Sequence, residues 1–290
     1  MKAQDIGRAR AMEALLGEFP GGRGGEATEL AYVIRRPVIP SHPADFAEGD
    51  VEVWIEDSGM TMRHESGVVG RARPGGIVIG GDGKLDRALN RLFLPMVSST
   101  LARRGVFAIH GGAIAVEGKA WLILGPTGRG KSTMAGIALG HHWELLADDA
   151  VVLRGPDPTV QGISRAPAIP KEIVEDAGPS SADHRGRVRL SARVLTQGRL
   201  PIVGALIPRR MSANDEKPRR LDASLAVSAV VGSLPAALEP VIACSFLELA
   251  AEIARRPFYT FPLHRDPVTR RRLAVQMLDD VSGSRPDALR

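Results

Sequence analysis

The chain has 290 residues, 44% hydrophobic and only 4% aromatic, with a formal net charge of +5. That is enough for one large domain or two small ones around a core of Ala, Val, Leu and Ile. The single cysteine, Cys244, excludes a disulfide framework and a cysteine-based zinc site. No apolar run approaches the roughly 18 residues of a membrane span. The basic residues are scattered Arg pairs without interleaved aromatics, which argues against nucleic acid. With no apolar targeting segment at the N-terminus, the expectation is a cytoplasmic protein with no membrane partner and no nucleic acid partner.

Residues 1–19 have the spacing of a short amphipathic helix, with Met12, Leu15 and Leu16 on one side, broken by Pro20 to Gly25. From 26 to 80 the pattern is strand-like: Ala31–Ile34, Val51–Ile55, Gly67–Gly70 and Gly76–Gly80 predict a small antiparallel sheet, with Arg36–Pro40 as a loop or edge. Asp82–Arg104 switches to helical spacing, with Pro95 marking a bend. Gly105–His110 and Ala113–Val116 read as strands, separated by Gly111-Gly112, and a turn at Glu117-Gly118 leads into the next strand.

That strand ends in Trp121–Leu124 and runs into Gly125-Pro126-Thr127-Gly128-Arg129-Gly130-Lys131-Ser132, followed by the first turns of a helix from Thr133. The stretch fits the phosphate-loop pattern G-x-x-x-x-G-K-[ST] at every fixed position, in the strand–loop–helix context the pattern requires. Glycines accept positive φ and let backbone N–H groups curl around phosphate oxygens. The helix N-terminus adds the positive end of its dipole. Lys131 is expected to reach the β- and γ-phosphates and Ser132 to hold Mg²⁺. The competing reading is a glycine turn with no ligand.

A helix is predicted over 132–142. Trp143–Ala147 is an apolar strand with Asp148 and Asp149 at its end, followed by another strand through Leu153. Acids delivered by a strand near a phosphate loop can order Mg²⁺ or accept the proton of an attacking hydroxyl. Adjacent residues on a strand point opposite ways, so the two should not share one role. Pro156–Pro170 reads as a loop, Lys171–Asp176 as a helical turn, Gly178–Arg189 as a polar mobile stretch and Leu200–Ile207 as a buried strand. Arg209–Arg220 reads as a charged loop, 221–232 and 241–256 as helices, and Phe258–Phe261 as a strand. Asp266-Pro267 predicts the cap and first position of a last helix through Met277, with a disordered tail from Ser282.

Together, His110-Gly111-Gly112, the strand pair, the glycine loop and Leu146-Ala147-Asp148-Asp149 resemble the kinase domain of the HPr serine kinase/phosphorylases. They also resemble HPr-kinase-like proteins that phosphorylate precursor peptides. The resemblance covers about residues 100–180. It implies an α/β fold with a P-loop kinase core of HPr-kinase/carboxykinase-like type. On that reading residues 1–100 form an N-terminal β-rich region with a helical lead-in, 101–281 the P-loop domain and 282–290 a tail. It implies Asp149 as general base, Asp148 as support for the metal, and His110 as the group that hydrogen-bonds an acid and holds its geometry. Ala166-Pro167 followed by Glu175 echoes the region of the family's metal-binding glutamate, so Glu175 joins Ser132 and Asp148 as a metal ligand. The nucleotide site is Gly125 to Thr133.

The chain departs from the family after that glutamate, where Ala177-Gly178-Pro179-Ser180-Ser181 replaces a glycine-rich signature. The arginine loop tied to phosphorolysis is also missing, although Arg209, Arg210, Arg219 and Arg220 lie in the same region. The reading therefore carries over neither the reverse reaction nor HPr as acceptor. It predicts an ATP- and Mg²⁺-dependent kinase of a serine-type hydroxyl on a protein or peptide, and, because relatives form rings, a homo-oligomer. Alternatives are a nucleotide-dependent switch, a kinase of a small-molecule alcohol, and a carboxykinase-like enzyme.

Overall fold

The computed structural model describes residues 32–34, 38–56, 59–73, 76–81, 83, 85–163, 167–174, 186–191, 194–210, 218–235 and 240–283. It is a mixed α/β structure with several sheets and, among the described residues, five α-helices. By its internal contacts the chain divides into Met1–Ile109 with Leu234–Phe246, and His110–Ser233 with Leu247–Arg290. No helix among the described residues is long and apolar enough to cross a membrane. The helix expected over 1–19 lies outside the described residues.

In the first unit, β1 (Tyr32–Ile34), β2 (Phe46–Glu48), β3 (Val51–Glu56), β4 (Gly59–His64), β5 (Val68–Arg73) and β6 (Gly76–Gly81) form one sheet in the order β1-β6-β5-β4-β3-β2. The expected antiparallel pairing holds from β2 to β6, but β1 adds to β6 in parallel. Five of the six β4 residues are buried, as a central strand covered on both faces requires. α1 (Leu85–Ala102) packs across β4 and β5, with Leu92 and Met96 fully buried. It is one helix, with Pro95 inside it. Gly70 makes the close approach: a Cβ there would overlap the Met96 sulfur. β7 (Val106–His110) carries the chain across the boundary between the units, which falls after Ile109.

The second unit opens with β8 (Gly112–Val116) and β9 (Lys119–Ile123), an antiparallel pair joined by a turn with Glu117 and Gly118 at positive φ. α2 (Lys131–Leu139), β10 (Glu144–Ala147), β11 (Ala150–Arg154) and β12 (Thr159–Gly162) follow. Next come β13 (Ala168–Pro170), a 3₁₀ turn (Lys171–Ile173), β14 (Arg187–Arg189) and β15 (Arg199–Arg210). β16 (Arg219–Arg220), α3 (Ala223–Val231), α4 (Pro240–Ala254), β17 (Phe258–Leu263) and α5 (Pro267–Ser282) complete the chain. The sheet of this unit runs β10-β8-β9-β15-β12-β11, with β17 also on β15. β9, β15 and β17 are mutually parallel through the register Leu122↔Ala205↔Phe258. Gly204 permits that register, since a Cβ there would collide with the Trp121 ring.

α2 packs Met134, Ile137 and Ala138 into the core of this unit with Trp121, Leu206, Phe261 and Met277. Gly136 lets Ile169 and Ile173 press against the helix. Several expectations change. The predicted helix over 132–142 stops at Leu139. The expected loop 156–170 holds two strands, β12 being seated where Gly162 admits the Leu146 carbonyl too closely for any Cβ. Arg187–Arg189 pairs with β13 as a strand rather than a mobile stretch. β15 extends to Arg210, and Arg219–Arg220 pairs with β17. Asp266 caps the last helix as expected, its Oδ2 accepting from Thr269 N at 2.7 Å, but the helix runs on to Ser282, with Gly283 as a left-handed C-cap. Residues 284–290 of the expected tail lie outside the described residues.

Candidate functional site

The glycine loop leaves the carboxyl end of β9, the edge at which α/β sheets place ligands beside parallel strands. Gly125, Gly128 and Gly130 have φ of 127°, 78° and 104°, in the region that side-chain-bearing residues rarely adopt. Gly130 is also a close approach, because a Cβ there would overlap Leu263 of β17. β15 contributes Pro208 beside the same glycine and Ile207 beside Gly125. Thus the ends of three parallel strands fix one loop. Gly130 is the N-cap of α2 and supplies no side-chain cap, so the first-turn N–H groups of α2 receive none. Pro126 to Arg129 are exposed, Ser132 is half-buried, and Lys131 and Thr133 are buried.

Lys131 spends all three of its N–H groups on the chain. Its Nζ lies 2.7 Å from Gly125 O, 3.2 Å from Pro126 O and 3.1 Å from His110 Nε2. An ammonium has no lone pair, so Nε2 must accept, and the His110 proton then sits on Nδ1. Nδ1 lies 3.3 Å from Asp149 Oδ1. His110 therefore bridges the loop lysine and the carboxylate. Burial lowers its pKa from 6.5, the Lys131 charge lowers it further, and Asp149 opposes both. Burial also lowers the pKa of Lys131, against the pull of Asp149 and Asp148. A neutral imidazole is the form this geometry requires. Thr127 Oγ1 reaches the same Nε2 at 3.3 Å.

Asp148 and Asp149 occupy a bend between β10 and β11, not the strand itself. Strand alternation therefore does not separate the two acids; burial does. Asp148 is 6% exposed and its Oδ2 accepts from Ala168 N at 3.0 Å. The Asp149 side chain is 46% exposed and faces His110. Gly112 explains why the bend comes so close. Gly111 N donates to Asp149 O at 3.0 Å, and a Cβ on Gly112 would stand 3.0 Å from Ala147 O. The structure thus gathers His110, Lys131, Asp148, Asp149 and the loop around one point. Glu175 lies outside the described residues, as does Ala166.

For a metal ion, Ser132 in the first turn of α2 offers a hydroxyl and Asp148 and Asp149 offer carboxylate oxygens, a hard-oxygen set that suits Mg²⁺. Asp50, His64 and Glu65 also approach one another within 4.8 Å. That group is a closed network: Ser66 N donates to His64 Nδ1 at 3.0 Å, Nε2 donates to Asp50 at 3.1 Å, and Arg91 pairs with Asp50 at 2.9 Å. Both ring nitrogens are used and a guanidinium neutralises the acid.

Sequence reasoning missed the Lys131–His110 contact, the part of Thr127 in it, and Ala168 N as the partner of Asp148. The signal within reach is Gly112, a glycine placed where the backbone packs closely.

No protein-family model matches this chain, and no curated protein matches its sequence. Among solved structures it is similar to the HPr(Ser) kinase/phosphatase from Coxiella burnetii. The identity is 11%, over 61% of this chain and 93% of that one, with a TM-score of 0.33, a distant likeness at the level of fold.

Proposed function

We propose that this site belongs to a kinase that transfers the γ-phosphoryl group of ATP to a serine-type hydroxyl of a protein or peptide. The observation that carries the reading is the His110 bridge, which joins the loop lysine to a solvent-reaching carboxylate. A nucleotide switch needs the loop and the lysine but gives no reason to hold Asp149 beside them.

Gly125 to Thr133 would cradle the phosphates through backbone N–H groups, with Lys131 against the β- and γ-phosphates. Ser132 and Asp148, with Glu175, would hold Mg²⁺, which offsets phosphate charge when bound. Asp149 would take the proton of the acceptor hydroxyl. As that O–H bond breaks, the oxygen bonds to the γ-phosphorus, and the bond to the bridging oxygen breaks with its electron pair leaving on ADP. His110, neutral and donating from Nδ1, orients the carboxylate. The exposure of Asp149 and of Pro126 to Arg129 suits a large acceptor, which must approach from solvent.

The test is incubation of the protein with γ-labelled ATP, Mg²⁺ and a panel of serine-containing peptides and proteins. Label is expected on a serine-type hydroxyl, stable to acid, released by alkaline β-elimination and absent without Mg²⁺. Label released only as inorganic phosphate would replace the kinase with a hydrolase or switch.

A further inference from the structure

A glycine can adopt many backbone conformations, so the φ of 104° at Gly130 must be imposed by what packs on it. No side-chain cap hydrogen bond holds it. Leu263 of β17 presses on it instead: a Cβ on Gly130 would stand 1.9 Å from Leu263 Cδ1. The next two residues, His264 and Arg265, form the turn into α5, and one side chain grips both. Arg270 Nε donates to His264 O at 2.8 Å, and Nη2 donates to Arg265 O at 2.7 Å. The remaining nitrogen, Nη1, lies 3.6 Å from Glu172 Oε1. Glu172 belongs to the 3₁₀ turn whose Ile173 packs on Gly136 of α2. That turn follows β13, whose first residue, Ala168, donates to Asp148.

We propose that Arg270 is a positioning residue for the phosphate loop: it holds the β17–α5 turn, and through it Leu263 against Gly130, in register with the 3₁₀ turn that follows the Asp148-bound strand. This rests on the phosphate-site reading above and adds a support that lies outside the loop. A guanidinium suits the task, because its nitrogens sit a fixed distance apart in one plane, whereas an ammonium offers a single nitrogen. The Arg270 side chain is 17% exposed, so its partners are held with little competition from water. A brace that only stabilised the fold would lower the unfolding midpoint and leave the affinity of the folded protein unchanged. A positioning residue does more. Without it the Leu263 methyl shifts, Gly130 leaves its left-handed conformation, and the N–H groups that face phosphate lose their alignment.

The experiment measures MgATP affinity by calorimetry in the full chain, for wild type, Arg270→Gln, Arg270→Lys, Leu263→Ala and the Arg270→Gln/Leu263→Ala double variant, each held below its own unfolding midpoint. Arg270→Gln is expected to weaken MgATP by about fivefold. Leu263→Ala should weaken it by a similar factor, and the double variant by no more than the larger single loss, because both act through one contact. Arg270→Lys keeps the charge toward Glu172 but not the fork, and should fall between wild type and Arg270→Gln. In transfer assays the loss should appear in KM for ATP, with kcat little changed. Wild-type affinity in folded Arg270→Gln, or fully additive losses in the double variant, overturns this inference alone. Should Arg270→Gln not fold, Leu263→Ala decides, since wild-type affinity there removes the contact through which Arg270 acts. A wild type that does not bind MgATP overturns the phosphate-site reading and this inference with it.

Discussion

Among the described histidines that sit beside an aspartate, His64 and His110 differ in what closes the other side of the ring. His64 is 1% exposed and locked between Ser66 N and Asp50, whose charge Arg91 balances. His110 is held between Asp149 and a lysine that belongs to a glycine loop, and its side chain is 31% exposed. The first network is satisfied by fixed partners and has nothing to exchange. The second holds a cation that a phosphate can draw away and a carboxylate that solvent can reach. Identical residue types thus give a closed brace in one unit and, on the proposed function, a reactive cluster in the other, because burial and the identity of the donor differ.

The two histidine networks part most widely at Lys131. Lys131→Met removes charge-assisted hydrogen bonds worth about 1.5–3 kcal/mol each, so MgATP affinity measured by calorimetry should fall by at least tenfold; unchanged affinity would detach the lysine from phosphate. Next is stability. His64→Ala leaves Ser66 N–H and Asp50 short of a partner, at about 1–3 kcal/mol for each orphaned group. His110→Ala, in a part-exposed pair, should cost no more than about 1 kcal/mol. Denaturant melts of the two variants test this, and equal losses would erase the distinction.

The glycines sharpen the contrast. Gly130→Ala places a side chain at φ 104° and against Leu263, at a cost of about 1–3 kcal/mol, and should weaken MgATP binding as the loop shifts. A variant binding as tightly as wild type would mean that the left-handed backbone is not part of the cradle.

The smallest effect is in pH. The folded pKa of His110 lies below 6.5, so as pH falls through 6.5 the unfolded chain takes up a proton that the folded chain resists, and stability declines. His110→Asn should flatten the stability profile in the window just below pH 6.5. At Asp50, burial raises the pKa, but the Arg91 hydrogen bond and charge outweigh it and the net shift is downward from 3.8. Its contribution is present above 3.8 and is lost only as pH falls through the lower folded value. A His110→Asn profile parallel to wild type would contradict the first of these assignments.

What could be read from the chain alone was what is local. Trp121 to Thr133 carries strand, loop and helix in one stretch, and Asp266-Pro267 carries its own cap. Of the N-terminal strands, β1, β3, β5 and β6 were legible because their apolar residues are bounded by turns; β2 and β4 were not. The strands between Pro156 and Arg189 were not, since they are three or four residues long and rich in Gly, Pro and Arg. Nor was the parallel register of β9, β15 and β17, which joins residues far apart and depends on Gly204 yielding to Trp121. At the site, residue types pointed to His110, Lys131 and the two acids. The order in which they touch depends on Gly112 admitting the bend at close range, a matter of packing rather than composition.

The most direct test compares Asp149→Asn with wild type in two assays, MgATP binding and phosphoryl transfer to an acceptor. A general base contributes about 10²–10⁴-fold, so transfer should fall by that factor while the dissociation constant for MgATP stays close to that of wild type. Transfer at the wild-type rate by Asp149→Asn would contradict the assignment of Asp149, and with it the account of why His110 ties that carboxylate to the loop.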